Sequence, residues 1–169
     1  MNFNVSKESL KKSAIYGFIF GAILSVVTLI PIQQKEIMTA CILILFIASA
    51  PCVLFYMKKN ERIKELDEAI PSIIAGALIG TIATASFFLV LAPLTFVVSL
   101  IFGTSGASII TYMVTDALWL YIILAVVLSA VFGLTNGISA IAFKMIINFA
   151  QNQAKRPKRP KRQRDDYDL

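Results

Sequence analysis

The chain of 169 residues contains no histidine and only two cysteines. Without histidine, the Ser-His-Asp and Cys-His nucleophile systems cannot form, and few ligands remain for a zinc or iron site. Two cysteines are also too few for a secreted disulfide scaffold. We therefore expect a protein that is not an enzyme and that holds no metal or other cofactor.

Charged residues are scarce as well. They make up 15% of the chain, whereas 57% of the residues are hydrophobic. An average soluble domain has about 25% charged residues, so this balance argues against a soluble globular domain. It also excludes disorder for most of the chain, because disordered segments have low hydrophobicity.

Four long stretches carry no charge at all. They lie between Lys12 and Lys35, between Glu36 and Lys58, between Glu68 and Asp116, and between Asp116 and Lys144. A helix needs about 20 apolar residues to cross the hydrocarbon of a bilayer, and each stretch is long enough. The predicted fold is all-α, with four transmembrane helices at residues 15–32, 37–57, 70–91 and 117–147. We expect no acidic or basic side chain within the membrane interior, which argues against a pump or a proton-coupled carrier.

The distribution of basic residues predicts the orientation of the spans. All 16 lysines and arginines except Lys35 lie before the first span, between the second and third, or after the fourth. Because such residues concentrate in cytoplasmic segments, both termini are predicted to be cytoplasmic, in a plasma (inner) membrane. Pro93 is expected to kink or end the third span. Residues 94–102 would then form a bent continuation, an interfacial piece or a re-entrant segment.

Small residues recur at every fourth position in three spans, so that each set forms a stripe along one helix face. The stripes comprise Ser13, Gly17, Gly21 and Ser25; Ser72, Gly76, Gly80 and Thr84; and Ser129, Gly133 and Gly137, with Asn136 beside the last. Because small residues let membrane helices approach closely, we interpret the stripes as packing faces. They would serve the bundle itself, an interface between copies, or the lining of a pore. The shared spacing in the first and third spans is consistent with a duplicated two-helix hairpin.

Three regions follow from this pattern: a cytoplasmic segment 1–12, a four-helix membrane domain 13–147 and a basic tail 148–169. Prolines and dense positive charge predict that the tail is disordered and cytoplasmic. Its basic residues are expected to bind anionic lipid headgroups or an acidic partner; they are Lys155, Arg156, Lys158, Arg159, Lys161, Arg162 and Arg164. No aromatic residue is interleaved with them, so binding of nucleic acid is unsupported.

The segment Glu65–Ser72 is similar to the stretch that leads into the membrane in the platform proteins of archaellum and type IV pilus machines. The large charged cytoplasmic helices of that family are missing from this chain. The function predicted from the sequence is that of a small accessory or assembly subunit that packs with other membrane subunits or with itself. The alternatives are a passive channel or small transporter formed by an oligomer, and a platform-like component of a secretion or pilus machine.

The orientation can be tested by cysteine labelling in intact cells, on a background that lacks Cys41 and Cys52. Cysteines at Gln34 and Ser105 should react with an impermeant reagent. Cysteines in the tail should stay unlabelled until the cells are lysed, because the basic segments are retained in the cytoplasm. A tail that is labelled from outside would contradict the four-span prediction and favour a fifth crossing.

Overall fold

In the computed structural model, residues 7–29, 34–50, 66–102 and 116–154 are described. These residues form four α-helices: α1 is Lys7–Val27, α2 is Gln34–Phe46, α3 is Leu66–Phe102 and α4 is Leu118–Ala154. The all-α prediction is confirmed for this part of the chain. The predicted disordered tail, residues 148–169, begins in a helix, because residues 148–154 belong to α4. Residues 155–169 and the end of the predicted second span, residues 51–57, lie outside the described residues.

Three of the helices are long and apolar enough to cross a membrane. Their apolar segments are Leu10–Val27 in α1, Ile70–Val98 in α3 and Leu118–Ile147 in α4. The helices α3 and α4 each contain 37 residues. At 1.5 Å per residue, each is about 55 Å long and exceeds the ~30 Å of hydrocarbon in a bilayer.

Helix α3 lies at the centre, between α1 and α4. Gly17 of α1 meets Ile79 of α3, and Gly21 meets Ala83, so α1 and α3 run in the same direction. On the other side, Gly80 of α3 meets Phe132 of α4, whereas the earlier Gly76 meets the later Ala140, and these two helices are therefore antiparallel. Helices α1 and α3 thus begin, and α4 ends, at the same end of the bundle. We call it the lysine end because it carries Lys7, Lys11, Lys12 and Lys144.

Helix α2 is interrupted within the predicted span 37–57, and residues 49–50 are helical again after the interruption. It ends at Phe46, and a turn follows at residues 47–48. The amides of Ile47, Ala48 and Ala50 donate to carbonyls three residues back rather than four. With 13 residues, α2 spans about 20 Å. The helical ladder is interrupted here by a side chain of α4, as shown below.

Helix α3 is longer than predicted, because Pro93 does not end it. Residues 94–102 continue α3 without interruption, so they are not a re-entrant piece. Two hydroxyl groups supply hydrogen bonds around the proline. The Thr95 hydroxyl lies 2.9 Å from the carbonyl oxygens of Leu91 and Ala92, and the Tyr121 hydroxyl donates to the carbonyl of Phe88 at 2.5 Å. Pro93 lacks the amide that would donate to the carbonyl of Leu89, and these bonds lie on either side of that carbonyl. Proline is tolerated within membrane helices, where local adjustment and neighbouring groups compensate for the lost bond.

The interior of the bundle is filled by large apolar side chains. Phe87, Phe132, Leu45, Ile79 and Leu91 are almost completely buried. The rings of Phe46 and Phe132 have centroids 4.1 Å apart and join α2 to α4. The outward sides of the long helices are apolar as well, as in a helix bundle that faces lipid rather than water.

Candidate packing site around Asn136

The small-residue face of α1 lies directly on the backbone of α3. A Cβ atom at Gly17 would lie 2.8 Å from the carbonyl oxygen of Ile79, and one at Gly21 would collide with the carbonyl of Ala83. The Ser86 hydroxyl lies 3.1 Å from the carbonyl oxygens of both Phe18 and Ala83. It therefore connects the two backbones at the point where the glycines let them approach.

The faces of α3 and α4 meet in a reciprocal manner. Gly76 and Gly80 of α3 face the backbone of α4, where a Cβ atom at Gly80 would lie 2.5 Å from the carbonyl oxygen of Phe132. In return, Gly133 of α4 faces Thr81 and Gly137 faces Ile73. All six of these glycines thus adjoin helices of their own chain.

Asn136 lies at the junction of α2, α3 and α4 and is fully buried. Its side-chain Nδ2 donates to the carbonyls of Leu45 at 2.7 Å and Phe132 at 2.8 Å. Its Oδ1 accepts the backbone amide of Ser49 at 2.7 Å, and its backbone carbonyl accepts the Ser49 hydroxyl at 2.9 Å. The carboxamide therefore has a partner for both of its donors and for its oxygen.

The geometry shows that the Asn136 carboxamide is inserted into the hydrogen-bond ladder of α2. In an unbroken helix the amide of Ser49 would donate to the carbonyl of Leu45, four residues earlier. Here Asn136 accepts from that amide and donates to that carbonyl, so it bridges the two groups. Insertion of a side chain into the ladder is a known cause of helix breaks, and it accounts for the end of α2 at Phe46. Pro51 follows in the sequence and cannot donate a backbone hydrogen bond to extend the ladder.

The glycine face of α3 and the asparagine of α4 form one unit. A Cβ atom at Gly80 would lie 2.6 Å from both Cβ and Nδ2 of Asn136, and one at Gly76 would lie 2.6 Å from the Asn136 carbonyl oxygen. Only glycine therefore leaves room for the Asn136 side chain in its present position. The side-chain bonds of Asn136 join α4 to α2 and to the backbone of α4 itself.

The hydroxyl residues of the stripes differ in their surroundings. Ser13 and Ser25 of α1 are buried, and the Ser25 hydroxyl donates to the Ala22 carbonyl of its own helix. Ser129 of α4 likewise donates to Ala125. Thr84 of α3 is fully buried, and its hydroxyl has no hydrogen-bond partner among the residues that the structure describes.

The sequence predicts no acidic or basic side chain within the apolar spans, and Lys144 contradicts this prediction. Lys144 lies inside the apolar segment Leu118–Ile147 of α4, and only 7% of its surface is exposed. Its Nζ donates to the hydroxyl of Ser72 on α3, at 3.4 Å. Lys144 ends a charge-free stretch in the sequence, and only the antiparallel register of α3 and α4 places it against another helix.

Sequence reasoning missed several further residues of the junction. Ser49 follows an apolar run and resembles any small residue of a membrane helix, and Tyr121 resembles an interfacial aromatic. Ser86 was expected to bond only its own backbone. Their interhelical bonds depend on which helix faces which, a relation that no local pattern encodes.

Comparison with models of protein families, with curated proteins and with solved structures finds no match to this chain. The arrangement therefore has to be interpreted from its own geometry. It contains close backbone contacts and satisfied hydrogen bonds, which are the features of a site that holds helices together.

Replacement of Asn136 by alanine tests the junction. The variant leaves the amide of Ser49 without its acceptor, and the carbonyl of Leu45 keeps only the longer bond from the amide of Ala48, at 3.4 Å. An unsatisfied buried group costs about 1–3 kcal/mol. We expect a loss of unfolding free energy of about 2 kcal/mol, above the ~0.6 kcal/mol average for polar contacts between membrane helices. Asn136→Asp should be at least as destabilising, because a carboxylate cannot donate to Leu45.

The matched control is Ser139→Ala, since the Ser139 hydroxyl donates to Thr135 of its own helix and, among the described residues, to no other group. Stability can be measured by thermal unfolding in detergent, followed by size-exclusion chromatography. If Asn136→Ala and Ser139→Ala lower the stability equally, the bridge between Leu45 and Ser49 contributes nothing.

Proposed function

We propose that this chain is a small non-enzymatic integral membrane protein that serves as an accessory or assembly subunit. Its three long apolar helices support the membrane location. Two further observations support the subunit role: a closed, apolar interior and an apolar outer surface.

The directions of the helices support four crossings with both termini in the cytoplasm. Cys41 of α2 lies beside Leu24 near the end of α1, and Ser49 lies deeper in the bundle at Asn136. Helix α2 therefore returns toward the lysine end, antiparallel to α1. Lysines at the end where α1 and α3 begin and α4 finishes agree with the rule that basic residues stay in the cytoplasm.

The packed interior argues against a solute path through a single chain. Phe87, Phe132 and Leu45 fill the centre of the described bundle, and Asn136 uses its polar atoms in hydrogen bonds to the backbone. A solute path through a single chain would need polar groups that face an opening. This closed, apolar interior is the observation that carries the proposal.

A partner would have to use surfaces other than the glycine faces, because those faces already adjoin the same chain. The most exposed large side chains of α4 include Leu134 at 71% and Ile138 at 70%, which are four residues apart and share a face. In a membrane such a face contacts lipid or another apolar helix. We propose that it contacts another subunit.

The proposal can be tested by photo-crosslinking in cells. A photoreactive amino acid at Leu134 or at Ile138 should give the same discrete adduct with one membrane protein, because the two positions share a face. At Phe18 and Ile19, on the exposed side of α1, it should give mainly lipid adducts and thus serves as the control. Purified protein in liposomes should conduct neither ions nor small solutes.

Two results would contradict the proposal. Adducts with lipid alone at all four positions would exclude the subunit role for this face of α4. Solute flux that depends on the purified chain would favour the channel alternative.

A further inference from the structure

Among the lysines whose exposure the structure describes, Lys7, Lys11 and Lys12 are exposed, whereas Lys144 is buried. It lies on α4 against α3, at the lysine end of the bundle. Its position is three residues before the end of the apolar segment Leu118–Ile147, or about 4.5 Å along the helix. Its ammonium group is thus placed just inside the boundary between hydrocarbon and headgroups.

The described residues do not satisfy this ammonium group. An ammonium has three donors, and among the side chains that the structure describes Lys144 bonds the Ser72 hydroxyl, at a long 3.4 Å. A buried charge without an opposite charge is strongly unfavourable. Within that set of side chains, the other two donors have no partner and could bind an anion.

The carboxylates whose side chains the structure describes do not provide that anion. Glu8 lies at the same end of the bundle but forms an exposed ion pair with Lys12. The hydrogen bond from Lys12 and its positive charge hold the pKa of Glu8 below its ordinary value, so this carboxylate is ionised and engaged. Glu36 and Asp116 lie near the starts of α2 and α4, at the opposite end of the bundle.

We propose that Lys144 binds a phosphate group at the cytoplasmic membrane boundary and that the Ser72 oxygen holds the ammonium in place for it. The source that fits this depth best is the headgroup of an anionic phospholipid, because phosphates of the inner leaflet lie at this level and basic pockets between membrane helices bind them. Bonds between an ammonium and a phosphate are charge-assisted and therefore strong. The inference rests on the membrane location proposed above.

The test uses the full chain, purified in a non-ionic detergent and stripped of lipid. Binding of dioleoyl phosphatidylglycerol is titrated by native mass spectrometry, beside a galactosyl diacylglycerol that lacks phosphate. We expect Lys144→Gln to weaken the first bound phosphatidylglycerol about tenfold. The control Lys11→Gln removes the same charge from an exposed site of α1 and should leave the first binding step unchanged. Neither variant should change binding of the galactolipid.

Ser72→Ala keeps the inference testable if Lys144→Gln does not fold. Ser72 is a positioning residue here, and its loss should weaken phosphatidylglycerol binding by about threefold, as expected for one hydrogen bond. Inorganic phosphate is the third probe. Suppose that inorganic phosphate stabilises the wild type against heat but not Lys144→Gln, and that phosphatidylglycerol stabilises neither. The phosphate site is then supported, and its ligand is a soluble phosphate rather than a lipid headgroup.

Equal weakening of lipid binding by Lys144→Gln and Lys11→Gln would overturn the inference, because the attraction would then be a general effect of positive charge. A second result would also overturn the inference. Glu68 lies one turn before Ser72 in α3, and Glu68→Gln would lower the melting temperature as much as Lys144→Gln, while neither variant changes lipid binding. Lys144 would then pair with a carboxylate of its own chain. A chain that fails to insert into liposomes would instead contradict the membrane location.

Discussion

The bridge that Asn136 forms between Leu45 and Ser49 is the interaction on which the arrangement of the other helices depends. Hydrocarbon offers no hydrogen bonds, so a helix that breaks inside a membrane must find other partners for its freed amide and carbonyl. The Asn136 carboxamide supplies both partners at 2.7 Å. It can do so only because Gly80 leaves room beside it, and this requirement fixes α3 against α4 at the same level.

The close contacts and the polar contacts therefore cooperate. Glycines at the α1–α3 and α3–α4 faces bring backbones together, which places hydroxyl and amide groups within reach of carbonyls on the next helix. In lipid the hydrophobic effect gives little drive for helices to associate, so packing and such bonds have to hold the bundle. The same closeness brings Lys144 against Ser72 and leaves its charge to be compensated from outside the described residues.

Much of the fold could be predicted from the sequence, because membrane helices are recognised by length and apolar composition alone. The apolar part of α4 matches the predicted span at 117–147, and the glycines at four-residue spacing lie on helix faces that meet. The errors have a common cause. The interruption of α2 after Phe46 and the burial of Lys144 depend on groups supplied by a different helix. The continuation of α3 past Pro93 is one of the alternatives that the sequence leaves open. From local propensity alone, Pro93 is expected to end the helix. In lipid, however, a helix that ended there would expose backbone amides and carbonyls to hydrocarbon, and a continued helix keeps these groups hydrogen-bonded.

Amide hydrogen exchange at Ser49, in the full chain reconstituted in lipid nanodiscs, tests the central claim most directly. If Asn136 accepts the Ser49 amide inside a dry junction, this amide should exchange as slowly as the central amides of α3 and α4, although it lies beyond the end of α2. Exchange of Ser49 as fast as in an unstructured peptide would contradict the bridge. The interruption of α2 would then be an open, solvated break rather than one closed by Asn136.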